Sequence, residues 1–152
     1  HTNSAVAQSL VGLAQLKAGQ VSSALNTFLR AKALAPSVEF PNVYLGRTYW
    51  TLHNYTDAMG SFTAALLINP SSAMSHVWLG VVQLKRKELA GAESAFSTAV
   101  NDETWGYRAL DGLGDVALAR GDVASAESWW KKSLDREPRY AAPWRKLLQR
   151  NP

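Results

Sequence analysis

The chain contains no cysteine. That absence removes disulfides, thiolate nucleophiles and cysteine-ligated metals together, and it leaves the redox compartment open, because such a chain survives equally in oxidising and reducing surroundings. Long apolar runs are missing too, so no transmembrane helix is expected. The opening residues HTNSAVAQSLVG lack the basic start and small-residue cleavage site of a secretory signal, and the chain is expected to be soluble and a piece of a longer protein. Histidine is scarce: His1, His53 and His76 are scattered and form no catalytic pair. His53 and Asp57 stand four apart, but two candidate ligands without a third make no metal site. No serine has an evident His and Asp constellation, and no strand pattern supplies a sheet on which such a site could be built. GLGD, at Gly112 to Asp115, looks like half of a dinucleotide fingerprint, yet it lies within a helical pattern instead of following a strand. Catalysis, metals and cofactors are accordingly not expected.

What is present argues for a folded chain. With 47% hydrophobic and 10% aromatic residues in 152, the sequence can bury a sizeable core and is too apolar for a disordered segment. Charge is unevenly spread. From Lys131 to Pro152 seven basic residues face only Asp135 and Glu137, a balance of +5, which leaves about −1 for the remainder of a chain whose net charge is +4. The compartment stays unread, with a bacterial cytoplasm or periplasm as the setting that the composition suits.

One spacing organises the sequence. Gly12, Gly46, Gly80 and Gly114 stand 34 apart, and so do Ala24, Ala58, Ala92 and Ala126. Phe28, Phe62, Phe96 and Trp130 keep the same period, as do Ala31, Ala65, Ala99 and Ser133. Pro36, Pro70 and Pro138 close their units, with Thr104 in the third such slot. Within each period apolar residues recur at helical spacing on both sides of a break such as AGQ or LHN, so every unit reads as a helical hairpin. Glycine in a helix interior costs roughly 1 kcal/mol against alanine. Four at matched positions imply close helix approach, with the alanine twelve residues on as the matching small surface and the aromatic filling the gap between units. A hairpin of this kind cannot bury its apolar face alone and stacks on its neighbours.

These columns resemble the tetratricopeptide repeat, and the resemblance covers nearly the whole chain. It implies an all-α fold, a right-handed α-solenoid, as one domain over residues 1–152. In the family's register the repeats fall at 5–38, 39–72, 73–106 and 107–140, with a capping helix from about Ala141 to Gln149. The family's first large position, usually tryptophan, holds Gln8, Asn42, His76 and Leu110 instead, and Trp144 regains it in the cap. The cap is expected to turn Trp144, Leu147 and Leu148 inward and to keep Arg145, Lys146, Gln149 and Arg150 in water.

The resemblance also implies that the first helix of each unit lines a concave groove. Helical phase then places Phe40, Val43, Tyr44, Arg47, Trp50 and Thr51 on the groove side and Tyr49 in the core. The first unit offers Val6, Ser9, Leu13, Leu16 and Lys17; the third offers Met74, Val77, Trp78, Val81 and Lys85; the fourth offers Arg108, Asp111, Asp115 and Ala119. The expected site is an apolar and aromatic trough formed by Phe40, Tyr44, Arg47, Trp50, Met74, Val77, Trp78 and Val81, ending in an acidic pair, Asp111 and Asp115, that would select a basic residue. Co-chaperone members of the family grip a terminal carboxylate with Lys, Asn and Arg, but the matching positions here are Ser9, Leu13, Arg47, Met74 and Trp78, so that clamp is absent. The expected partner is a protein: an apolar or amphipathic segment laid in the groove. Rival readings are self-association, assembly of a larger complex, and the recognition arm of a repeat-bearing enzyme. Nucleic acid at the basic, tryptophan-bearing C-terminal end ranks below docking to an acidic neighbouring domain or continuation of the chain into a further repeat.

Overall fold

The computed structural model describes residues 2–150, so His1 and its scattered-histidine reading lie outside the described residues. Nine helices and no strand occur among them: α1 (Thr2–Lys17), α2 (Val21–Leu34), α3 (Glu39–Thr51), α4 (Tyr55–Ile68), α5 (Ala73–Lys85), α6 (Leu89–Ala99), α7 (Gly106–Ala119), α8 (Val123–Arg136) and α9 (Ala141–Arg150). The chain divides into two compact units, residues 1–75 and 76–152, with the boundary inside α5. In the first, α1 pairs with α2 and α3 with α4, while α3 also packs on α2 and touches α1. In the second, α7 packs on α6 and α8, and α9 rests on α8. Contacts between consecutive helices, and between the first helices of consecutive hairpins, are what stacked hairpins produce.

The glycine and aromatic columns meet directly. A Cβ on Gly12 would stand 2.6 Å from the Phe28 ring, one on Gly46 2.6 Å from Phe62, and one on Gly80 2.8 Å from Phe96; Gly114 lies in the same way under Trp130. The side chain that glycine makes room for is thus the aromatic itself, not the alanine named from the sequence. All four rings are almost wholly buried, as are Ala24, Ala58, Ala92 and Ala126. Ser133 replaces alanine in its column without an orphaned hydroxyl, because its Oγ donates to the Tyr107 carbonyl at 2.6 Å.

A further column emerges in the turns. Gly19, His53, Lys87 and Gly121, again 34 apart, all have positive φ, at 75°, 58°, 63° and 85°. Each closes the first helix of its hairpin: the next residue's amide reaches back to a carbonyl five earlier, as from Gln20 to Gln15 at 2.8 Å and from Glu88 to Gln83 at 2.8 Å. This is the left-handed helix stop that suits glycine. Second helices begin with side-chain caps where one is available: Asn54 accepts from the Asp57 amide and Asp122 from the Ser125 amide. Glu39 ties the first unit together, accepting from Asn69 Nδ2 at 2.8 Å and from Ser75 Oγ at 2.7 Å.

Candidate functional site

Tyr44 organises the site in the first unit. Its ring stacks on Phe28, with centroids 5.4 Å apart, and on Phe40 at 6.4 Å. The Arg47 guanidinium carbon lies 5.7 Å from the same ring. Tyr44 is therefore half-buried, with one part on the cluster of Ala24, Phe28 and Leu45 and another in a cavity of about 190 Å³. The cavity is lined by Val6, Ser9, Leu10, Leu13, Val38, Phe40 and Tyr44, a nearly apolar wall. Ser9 spends its hydroxyl on the Ala5 carbonyl at 2.9 Å, which leaves the lining without a demand for polar ligand atoms. Phe40 is 49% exposed at the rim. Tyr49 packs against the same core cluster, and Trp50 sits half-buried against Tyr55, centroids 5.1 Å apart.

Sequence reasoning missed Leu10 and Val38. Leu10 was legible, since it stands 34 before Tyr44 and shares its phase. Val43, placed on the groove side, is fully buried. Ser9, at the equivalent position, is also buried, at 6% exposed.

In the second unit Trp78 and Val81 are half-buried, whereas Val77 is 4% exposed and belongs to the interior, not to an open surface; Met74, at the end of the first unit, is half-buried. Asp111 and Asp115 come together around a cation of the chain itself. Lys146 Nζ donates to Asp111 Oδ1 at 2.6 Å and to Asp115 Oδ2 at 2.8 Å. Tyr140 Oη donates to Asp111 Oδ2 at 3.0 Å, and Trp130 Nε1 to Asp115 Oδ1 at 3.3 Å. Asp111 is only 6% exposed. The acidic pair expected to select a partner's basic residue is thus engaged by α9. Burial raises the Asp115 carboxyl above its ordinary value against the pull of Lys146, and burial followed by the Asp111 carboxylate raises the Tyr140 phenol, which remains a donor.

This corrects the expected phase of α9. Lys146 turns inward to the two carboxylates, while Trp144 and Leu148, expected inside, are 49% and 65% exposed. A buried carboxylate demands a partner more strongly than a leucine demands cover. Among the described residues no group of three or more His, Cys, Asp or Glu could hold a metal ion, and no helix is long and apolar enough to cross a membrane.

Glycine-on-aromatic hairpins at a constant period define a helical-repeat protein of the all-α solenoid class. Residues 45–108 match the family model for the tetratricopeptide repeat, and the structure resembles solved repeat proteins. PilW, a widely conserved type IV pilus biogenesis factor, superposes with a TM-score of 0.89 at 22% identity over 95% of this chain and 67% of its own. PilF of Pseudomonas aeruginosa gives 0.87 at 21% identity over 93% of this chain and 64% of its own, so the present chain spans less than two thirds of that protein. The second TPR of Spaghetti (RPAP3), bound to the HSP90 peptide SRMEEVD, gives 0.63 at 19% identity over 65% of this chain and 92% of its own. No curated protein matches the sequence at a significant level. Residues 45–108 are thus similar to the tetratricopeptide repeat, and identities near one fifth speak for the fold alone.

Proposed function

We propose that the chain binds an apolar or amphipathic protein segment on the first-helix surface of its first unit, and that it performs no chemistry itself. The observation that carries this reading is the cavity of about 190 Å³ walled by Val6, Leu10, Leu13, Val38, Phe40 and Tyr44. Its size suits one or two apolar side chains, and aromatics with a neighbouring arginine are the residue types that concentrate binding energy once desolvated. Phe40 and Tyr44 supply area, and Arg47 fixes orientation through a carboxylate or carbonyl of the bound segment. Within the first unit Trp50 and Met74 add to the same chemistry, and Trp78 and Val81 offer it separately in the second. The Spaghetti repeat bound to an HSP90 peptide supports peptide binding by this fold, although the carboxylate clamp is absent here. Asp111 and Asp115 drop out of the reading as direct contacts, because Lys146 holds them.

The test is affinity capture from the native extract with the wild-type chain and a Phe40→Ser, Arg47→Glu variant whose helicity is checked by circular dichroism. Partners retained by the wild type alone support the site. Identical captures, or capture of further copies of this chain only, move function to self-assembly.

A further inference from the structure

Lys146 holds both carboxylates of α7, so Arg108 is the one charge of that helix left to face a ligand. It stands 34 after Met74 and two periods after Phe40, where the earlier repeats carry apolar side chains. Arg108 is exposed and has no ion pair among the described residues. Asp111, one turn on, does not pair with it, because its oxygens accept from Lys146 and Tyr140. The helix is an inner one: α7 packs on α6 and α8, and α9 is tied to it through Lys146. A further hairpin would stack on α9 and leave Arg108 open.

The side chain is held in place. Its guanidinium carbon lies 5.2 Å from the Trp105 ring centroid, 5.3 Å from that of Tyr107 and 5.5 Å from that of Tyr140. Nε donates to Tyr107 Oη at 2.9 Å. The rings are fixed in turn. Tyr140 meets Tyr107 edge-on with centroids 4.9 Å apart and donates to Asp111 Oδ2 at 3.0 Å, while the Tyr107 carbonyl accepts from Ser133 Oγ at 2.6 Å. Stacking occupies the faces of the guanidinium and Tyr107 occupies Nε, which leaves Nη1 and Nη2 as a two-pronged donor. A ligand meeting that fork does not have to order a long side chain first.

We propose that Arg108 takes an acidic side chain, Asp or Glu, of a partner protein segment through its two Nη groups, in an orientation that Tyr107 sets, with an adjacent apolar residue of the segment resting on Trp105 and Tyr107. A planar carboxylate matches a single guanidinium fork, whereas the double charge of a phosphate is met by clusters of arginine. The sign is opposite to the basic residue expected for this end of the groove from Asp111 and Asp115. All the groups involved lie in the second unit, so this site and the first-unit cavity stand or fall separately.

The probe is the blocked dipeptide acetyl-Phe-Glu-amide, titrated into the chain and followed through the Nε–Hε resonances of isotope-labelled arginine. The Arg108 resonance is the one missing from an Arg108→Lys variant. It should shift saturably in the millimolar range, while acetyl-Phe-Gln-amide leaves it unmoved. Tyr107→Phe, which releases Nε, should weaken the Glu peptide about threefold, and Phe40→Ser should change nothing. Equal shifts from the Gln peptide, equal shifts at other arginines, no saturation, or indifference to Tyr107→Phe would each overturn the proposal. So would phenyl phosphate, or acetyl-Phe-Gln with a free terminal carboxylate, binding more tightly than the Glu peptide.

Discussion

Tyr44 stacks on Phe28 with ring centroids 5.4 Å apart, and the same Tyr44 walls the cavity of the first unit. The repeat's packing and its candidate binding surface therefore share a side chain. Phe28 is fixed because it rests on Gly12, so the column that builds the hairpin also sets the position of the cavity wall.

Gly46→Ala is expected to destabilise the chain by about 2 kcal/mol, although alanine is the better helix former by about 1 kcal/mol. The new Cβ would lie 2.6 Å from a Phe62 ring that has no exposed surface and no room to retreat. Urea unfolding measures this, and Phe62→Leu in the same chain should recover part of the loss.

Lys87→Gly should act in the opposite direction. Lys87 has φ 63° at a position where two of four units carry glycine. Relief of the left-handed strain should raise stability by about 0.5–1 kcal/mol in the same assay, with no change in any binding property.

Lys146→Ala should cost about 1–3 kcal/mol, since it leaves the buried Asp111 with only the Tyr140 hydroxyl and Asp115 with only the Trp130 indole. Hydrogen exchange should show the loss first in α9, whose seating depends on that lysine.

Asp115 gives a pH dependence of fixed sign. Its carboxyl is raised in the folded state, chiefly by burial, so the folded chain holds its proton to higher pH than the unfolded chain. Stability contributed by this group is present below its unfolded value near 3.8 and falls as pH rises through the folded value. Relative to an Asp115→Asn variant, the wild type should therefore be more stable in acid than at neutrality, as urea midpoints across that range would show.

The hairpins were legible because the 34-residue columns are a property of sequence alone, but that Gly46 makes room for Phe62, and not for the alanine column, was not. Nor was the phase of α9. Apolarity alone sends Leu148 inward, but the decision belongs to Asp111 and Asp115, more than thirty residues away, which claim Lys146. Val77, whose helical phase borders the expected groove side, is buried as Val43 is at the equivalent position. The turn column was overlooked because His53 and Lys87 stand where glycine marks the other two units.

The claim that the first-unit cavity is the binding site is tested most directly by selecting a random peptide library on the wild-type chain, then measuring each enriched peptide against Phe40→Ser and Arg145→Glu. Apolar or amphipathic sequences that lose affinity on Phe40→Ser and keep it on Arg145→Glu are the predicted result. Enriched sequences indifferent to Phe40→Ser would contradict it.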